Sequence, residues 1–422
     1  MHTLWVLLAG RRPEPETGIV MPRRDARSKR TRAAGALRRK PVPPPDLEKI
    51  SEEHVATGPH AVETARRTLA LARPFRFFRG GILPAVTLAY ETWGPRENCP
   101  TLLILTGLSP SAHAASSDED PAPGWWEPLI GPGCAIDTNR IRVFCFNSLG
   151  SCFGSSGPAA IHPATGHPYG ASFPELAIED IAEAAYQALR ALGVERLDAV
   201  IGPSMGGFSA LALALLHPGF VRRLGLLCSA TTSEPFAIAV RSLQREILAS
   251  HRHGDPTAIE RGMMLARKLG LISYRSPVEW RERFGRRRET DPRSGVTHAF
   301  DAETPFAVEW YLEQRARSFA RHFDPDAYFY LSRAMDQFDA EEHGGGQIDQ
   351  AFSRLELDQA LVAGVMTDQL YPPHQQESLA EALGRTGIPV DFHLFDSPYG
   401  HDSFLIDWER FASPIRKLLE FA

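Results

Sequence analysis

Residues 197–217, Leu-Asp-Ala-Val-Ile-Gly-Pro-Ser-Met-Gly-Gly-Phe-Ser-Ala-Leu-Ala-Leu-Ala-Leu-Leu-His, admit few folds. An apolar run, Ala199 to Ile201, stops at Gly202. Gly-Pro-Ser-Met-Gly follows, and after Gly207 an Ala/Leu stretch continues without a breaker until Pro218. The pattern predicts a strand, a sharp turn and a helix, with Ser204 at the apex. In such a turn, side chains flanking the serine collide with strand and helix, and Gly202 and Gly206 relieve this because they lack Cβ. Gly-x-Ser-x-Gly in that setting is a nucleophile elbow: the serine hydroxyl stands above a sheet, and the next amide, that of Met205, is placed to donate to an oxyanion.

Strand-like and helix-like segments alternate around this turn. Thr101–Thr106 and Arg142–Asn147 are continuous apolar runs, as expected of strands buried on both faces. Ile178–Leu192 has helical spacing, and Arg222–Cys228 reads as the next strand. Upstream, 46–72 is polar with a helix expected over His60–Ala72. Phe75–Phe78 and Val86–Tyr90 read as an antiparallel hairpin around Gly80-Gly81, with the ordered domain starting near Phe75. From about Ser233 to Gly346 the alternation gives way to amphipathic helices, among them Phe236–Ser250, Ala258–Leu269, Phe306–His322 and Ala327–Phe338. A strand at Leu361–Met366, a helix at 375–383, a strand at Pro389–Leu394 and a closing helix from Trp408 follow. The expectation is an α/β protein with a mainly parallel central sheet, helices on both faces and an inserted all-helical cap. The core spans 46–232 and 347–422, the cap 233–346, and a disordered basic tail covers 1–45.

Charge separates the tail from the body. Residues 1–40 carry eleven Lys/Arg against three acidic residues, a surplus of eight. With a total of −5, the remainder stands at −13. An acidic body offers no general surface for nucleic acid. The tail reads either as an over-long start, with Met21 a candidate initiator, or as a basic targeting or nucleic-acid-binding arm. No apolar run is long enough to cross a bilayer, and the apolar stretch Leu4–Ala9 is short for a signal peptide. Five cysteines, odd in number and without metal-ligand spacing, suit reduced core positions, so a cytoplasmic location and no metal are expected.

An elbow serine needs a base, and the base needs an orienting carboxylate. Asp368 follows the strand at 361–366, and His401 follows the strand at 389–394 by a short loop. That is the chain order serine, acid, histidine in which the triad of an α/β-hydrolase sheet is assembled. His374 competes for the base role but sits at a helix start. The second oxyanion donor should come from the loop after Thr101–Thr106, at Gly107 or Leu108.

With these residues in place, residues 74–420 resemble the homoserine O-acetyltransferase family, the acyl-CoA:amino-acid O-acyltransferases of the α/β-hydrolase superfamily. The resemblance is carried by Tyr-Glu-Thr-Trp-Gly (90–94), Pro-Gly-Trp-Trp (123–126), Gly-Pro-Gly (131–133), Ile-Asp-Thr (136–138) and Asn-Ser-Leu-Gly-Ser-Cys-Phe-Gly-Ser-Ser-Gly-Pro (147–158). It continues in Pro-Ala-Thr-Gly (163–166), Ser-Met-Gly-Gly (204–207), the stretch Phe323–Asp336, Asp-Gln-Leu-Tyr-Pro-Pro (368–373) and Gly-His-Asp-Ser-Phe-Leu (400–405). It implies the same triad, Ser204, Asp368 and His401. It also implies that Arg275, in Tyr-Arg of the cap, and Asp402 hold the amino-acid substrate, the first by its carboxylate and the second by its ammonium group.

Two segments depart from the homoserine pattern. The elbow reads Gly-Pro-Ser-Met-Gly where Gly-Gly-Ser-Met-Gly is typical, and the loop at 106–114 reads Thr-Gly-Leu-Ser-Pro-Ser-Ala-His-Ala. Both are similar to the branch described as serine O-succinyltransferases. Ser109, Pro110, Ser111 and Ala112 are the candidate acceptor-specificity residues, with Pro-Ser-Ala narrowing the pocket. One methylene gives only about 1–3 kcal/mol of discrimination, so homoserine stays an alternative acceptor. A succinyl donor needs a cation for its free carboxylate, and Arg241 or Arg245 on the first cap helix are candidates. The resemblance implies succinyl-CoA or acetyl-CoA as co-substrate, no bound cofactor, a role in cysteine or methionine biosynthesis and a homodimer formed through the cap. An ester or thioester hydrolase with the same triad is the second alternative.

Overall fold

A computed structural model describes residues 65–252, 255–288 and 306–421. The tail over 1–45 and the first residues of the helix expected at 60–72 lie outside the described residues. The strands in chain order are β1 (Arg67–Ala70), β2 (Phe75–Arg76), β3 (Ile82–Leu83), β4 (Thr87–Trp93), β5 (Thr101–Leu105), β6 (Ile130–Gly131), β7 (Ile136–Asp137), β8 (Arg142–Phe146), β9 (Ala199–Pro203), β10 (Arg223–Leu227), β11 (Gln359–Val365) and β12 (Val390–Phe395).

Eight of them form one sheet in the order β1-β4-β8-β5-β9-β10-β11-β12. β1 with β4 and β4 with β8 run antiparallel, and the remaining pairs are parallel. Alternate residues of the central strands enter two separate cores. Leu103, Leu105, Val200, Leu224 and Leu226 face the helices Ile178–Ala191 and Met205–Leu216. Leu102, Ile104, Ala199 and Ile201 face Trp126 and the closing helix Trp408–Leu418. Two covered faces explain why these strands read as unbroken apolar runs rather than as an alternating pattern. Trp126, Phe144 and Phe208 are fully buried, and each such side chain contributes about 2–3 kcal/mol of transfer free energy.

Two expectations near the start of the domain are corrected. Arg67–Ala70 is an antiparallel edge strand on β4, not helix. Its short polar stretch lacks a helical apolar stripe of its own, and cross-strand pairing decides its state. Phe75–Arg76 pairs with Ile82–Leu83 in a separate ribbon, while Thr87–Trp93 joins the main sheet. The glycine turn therefore closes a smaller hairpin than the sequence suggested.

Between β10 and β11 lie the helices Pro235–His251, Pro256–Tyr274, Pro277–Phe284, Ala307–Ala320 and Pro325–Gln337. Four of the five open on proline, whose missing N–H is not needed in the first turn and whose φ suits a helix. Asp255, Ser276 and Asp324 cap three of them by accepting from the amides of Ala258, Glu279 and Ala327. The five cysteines are free, with Cys145 and Cys228 buried. No helix among the described residues is long and apolar enough to cross a membrane.

Candidate active site

The elbow forms where β9 meets the helix Met205–Leu216. Ser204 takes φ 56° and ψ −124°, a left-handed conformation that costs a non-glycine residue about 1–3 kcal/mol. The surroundings hold it there: the Ser204 amide donates to the Leu227 carbonyl at 2.9 Å, and the Gly207 amide donates to the Ser204 carbonyl at 2.9 Å. A Cβ on Gly202 would strike the Gly206 carbonyl, and one on Gly206 would strike the Leu105 carbonyl. The two glycines are required by close backbone approach, not by an unusual φ.

His401 Nε2 lies 2.8 Å from Ser204 Oγ, and His401 Nδ1 lies 2.8 Å from Asp368 Oδ2. Oδ1 of the buried Asp368 accepts from the amides of Leu370 and Tyr371 at 2.9 and 3.0 Å. The carboxylate is thus fixed from one side while its other oxygen orients the imidazole. Burial alone would lower the His401 pKa; the Asp368 charge and hydrogen bond outweigh it, with a smaller push from Asp402, and the pKa rises above 6.5. His401 stands on a tight turn whose Gly400 has φ 63°. The Gly400 amide donates to Thr367 Oγ1 at 3.1 Å, which ties the histidine loop to the aspartate loop. His374, the competing base, pairs instead with Glu234 at the surface.

Met205 opens its helix directly after Ser204, so its N–H has no intrahelical acceptor. Gly107 packs against Ser204: a Cβ there would lie 3.8 Å from the Pro203 carbonyl and 4.0 Å from Ser204 Cβ. The loop 107–110 therefore borders the nucleophile, where a second oxyanion donor belongs. A cavity of about 210 Å³ rises from this floor. Gly107, Leu108, Ser109, Pro110, Ser204, His401 and Asp402 line its core side, and Arg241, Gln244, Leu271, Tyr274, Arg275 and Tyr328 line it from the helical insertion. Among the described residues, no group of His, Cys, Asp and Glu is arranged to hold a metal ion.

Ser204, His401 and Asp368 are thus linked hydroxyl to imidazole to carboxylate at the floor of this cavity. Residues 100–407 match the family described as alpha/beta hydrolase fold. A serine O-succinyltransferase of Litchfieldella anticariensis is 48% identical over 367 residues, covering 84% of this chain and 98% of that protein. An L-serine/homoserine O-acetyltransferase of Streptomyces lavendulae is 49% identical over 370 residues, covering 85% and 98%. The crystal structure of a homoserine O-acetyltransferase from Bacillus anthracis matches with a TM-score of 0.76 at 24% identity over 84% of this chain and 97% of that one, a likeness of fold. The chain belongs to the serine and homoserine O-acyltransferase family. It is an acyltransferase built on the α/β-hydrolase fold.

Within this acyltransferase, the two residues expected at the amino acid meet each other. Arg275 donates through Nε to Asp402 Oδ2 at 2.8 Å and through Nη1 to Glu279 Oε1 at 3.3 Å, and both Arg275 and Asp402 line the cavity. Glu279 was not singled out from the sequence, although Ser276-Pro-Val-Glu279 has capping-box spacing and the Ser276 hydroxyl does accept from the Glu279 amide.

The acceptor-specificity segment divides. Ser109 and Pro110 line the cavity; Ser111 and Ala112 do not. The Ser111 hydroxyl accepts from the His113 amide, its carbonyl accepts from the Trp125 indole, and Ala112 is buried in its own loop. Of the Pro-Ser-Ala segment expected to narrow the pocket, only Pro110 lines the cavity. The two acyl-group candidates also divide. Arg241 lines the cavity but is buried against Asp336 at 2.5 Å and Ser233 Oγ at 2.6 Å. Arg245 bonds Asp336 at 2.7 Å and does not line the cavity. The sequence could not reveal this because Asp336 lies some ninety residues downstream on another helix.

Proposed function

We propose that the protein transfers an acyl group from acyl-CoA to the hydroxyl of L-serine through an acyl-serine intermediate. His401, oriented by Asp368, takes the proton of Ser204 Oγ as that oxygen attacks the thioester carbonyl. The amides of Met205 and of Leu108 or Gly107 stabilise the oxyanion. The C–S bond breaks, the proton passes from His401 to the leaving thiolate, and an ester remains on Ser204. The substrate hydroxyl then attacks that ester, His401 takes its proton and returns it to Ser204 Oγ, and the O-acyl amino acid leaves. Kinetics are ping-pong.

The single observation that carries the acceptor is the partly buried Arg275–Asp402 pair facing the same cavity as Ser204. It offers one cation for an α-carboxylate and one anion for an α-ammonium group, which water does not need. The names of the relatives support serine with succinyl-CoA first; homoserine as acceptor and acetyl-CoA as donor are the alternative. A hydrolase with the same triad is the reading that this pair disfavours. The helical insertion over the cavity is read as a cap that limits water, and as the surface through which a homodimer would form. Placement in cysteine or methionine biosynthesis in the cytoplasm follows from this chemistry as part of the proposal.

The test offers the purified protein succinyl-CoA or acetyl-CoA with L-serine or L-homoserine and follows free thiol. Thiol release that needs the amino acid supports transfer. Release indifferent to any amino acid overturns it.

A further inference from the structure

The cavity above Ser204 is lined by several arginines, among them Arg241, Arg267, Arg275 and Arg283. Three of these four are matched by carboxylates. Arg241 bonds Asp336, Arg275 bonds Asp402 and Glu279, and Arg283 shares Glu279. Arg267, on the helix Pro256–Tyr274, differs from them. Among the described residues it forms no ion pair, and it donates one hydrogen bond, from Nη1 to Ser109 Oγ at 3.3 Å. Its Nε is buried and has no hydrogen-bond partner. A guanidinium carries five N–H donors, so most of them go unused here.

The carboxylates on the neighbouring elements are engaged with other cations. Glu313 holds Lys268 and Arg317, and Asp336 is shared by Arg241 and Arg245. What holds the Arg267 guanidinium is aromatic: it lies 4.2 Å from the Phe319 ring centre and 5.5 Å from that of Tyr274. Ring faces attract and orient a cation without giving it a counter-charge. Ser109, its polar contact, is two residues beyond Gly107 in the loop that borders the nucleophile.

We propose that Arg267 receives the free carboxylate of a dicarboxylic acyl group, the succinyl case, while the thioester carbonyl of that group lies at Ser204. The proposal rests on the reading of acyl-CoA as donor and deepens it by assigning acyl-group selection to one residue. Arg241 and Arg245 were expected in this role, but each would have to give up Asp336 to take a ligand carboxylate. Arg267 gives up only a bond to a neutral hydroxyl, and its planar fork suits a carboxylate. An acetyl group offers this cation nothing, so Arg267 favours the dicarboxylic donor.

The experiment measures thiol release with L-serine for wild type, Arg267→Gln and Arg267→Lys, using succinyl-CoA and acetyl-CoA. In Arg267→Gln the succinyl-to-acetyl ratio of kcat/KM should fall by about tenfold or more, the loss expected for a hydrogen bond between charged groups. Arg267→Lys keeps the charge but not the fork, so its ratio should fall less; it also serves if the glutamine variant folds poorly. A third donor, the CoA thioester of succinamic acid, has the shape of succinyl without its charge. Wild type should use it less well than succinyl-CoA, and Arg267→Gln should use the two alike. Equal losses with succinyl-CoA and acetyl-CoA would reduce Arg267 to a structural role and overturn the proposal. A rise confined to the KM for L-serine would assign it to the acceptor's carboxylate, and an unchanged ratio in both variants would assign it no substrate; either also overturns the proposal. A wild-type enzyme that uses acetyl-CoA but not succinyl-CoA would overturn it and leave the acyltransferase reading intact. One that releases no thiol in response to an amino acid would overturn that reading as well.

Discussion

Arg275 of the helical insertion donates through Nε to Asp402 Oδ2 at 2.8 Å, one residue beyond His401. This pair joins the insertion to the loop that carries His401. Next to it, the Ser276 hydroxyl donates to the Pro398 carbonyl, and Gly400 lies so close to Tyr274 and Ser276 that a Cβ there would strike the Tyr274 carbonyl. In the proposed mechanism, acceptor recognition and base placement therefore share one contact region.

Replacing Asp402 by Asn should act in two ways. The amino-acid KM rises by at least tenfold, because the anion for the α-ammonium group is lost. The pH profile moves as well. The base works as free imidazole, so kcat/KM falls as pH drops through the His401 pKa. Asp402 is one of the charges that raise that pKa above 6.5, so the variant's acid limb shifts to lower pH. Thiol release from acyl-CoA as a function of pH checks this, since that half-reaction does not involve the acceptor. An unmoved limb would refute the electrostatic link.

Ser204→Ala should reduce thiol release by about 10³-fold or more, and Asp368→Asn by a comparable factor, because each removes a member of a unit that acts together. The double variant should be little worse than the worse single one. Steady-state rates of the three proteins check this, with acyl-enzyme trapping by mass spectrometry absent only where Ser204 is replaced.

Gly206→Ala should destabilise the fold by more than about 2 kcal/mol, because its Cβ meets the Leu105 carbonyl in a rigid strand. Gly384→Ala is the contrast. Gly384 lies in the helix Pro373–Arg385, and a Cβ there meets nothing within 4 Å, so alanine should stabilise by up to about 1 kcal/mol. Thermal unfolding of the two variants should move in opposite directions.

His113 and Glu91 form a buried pair, Nδ1 to Oε2 at 2.9 Å, that anchors the loop after β5. Burial would lower the His113 pKa, but the hydrogen bond and charge of Glu91 raise it to about 9. A raised histidine pKa stabilises the folded state fully below the unfolded value of 6.5 and loses that contribution as pH rises through about 9. The loss is on the order of 3 kcal/mol. Glu91→Gln should flatten the stability profile across this window, as urea unfolding at several pH values would record.

Much of the site was readable because each triad residue follows a strand, and strand ends are marked by apolar runs that stop. Ser204, Asp368 and His401 each sit a few residues beyond β9, β11 and β12, and the sheet order brings those three ends together. The start of the domain was less readable: Arg67–Ala70 is too short and polar to carry a periodic signal, and only its pairing with β4 makes it a strand.

What the sequence determined by itself was everything that depends on near neighbours along the chain: the elbow and its glycines, the two-faced apolar strands, and the proline-opened helices. The tertiary structure alone decided which charges are spoken for. Arg241 and Arg245 look equally available on one helix until Asp336 is found beside both. Pro110 and Ala112 look equally close to substrate until the loop turns one into the cavity and the other into the core. Ion pairing and pocket lining are set by distances through space between residues far apart in the chain, and no local pattern encodes those distances.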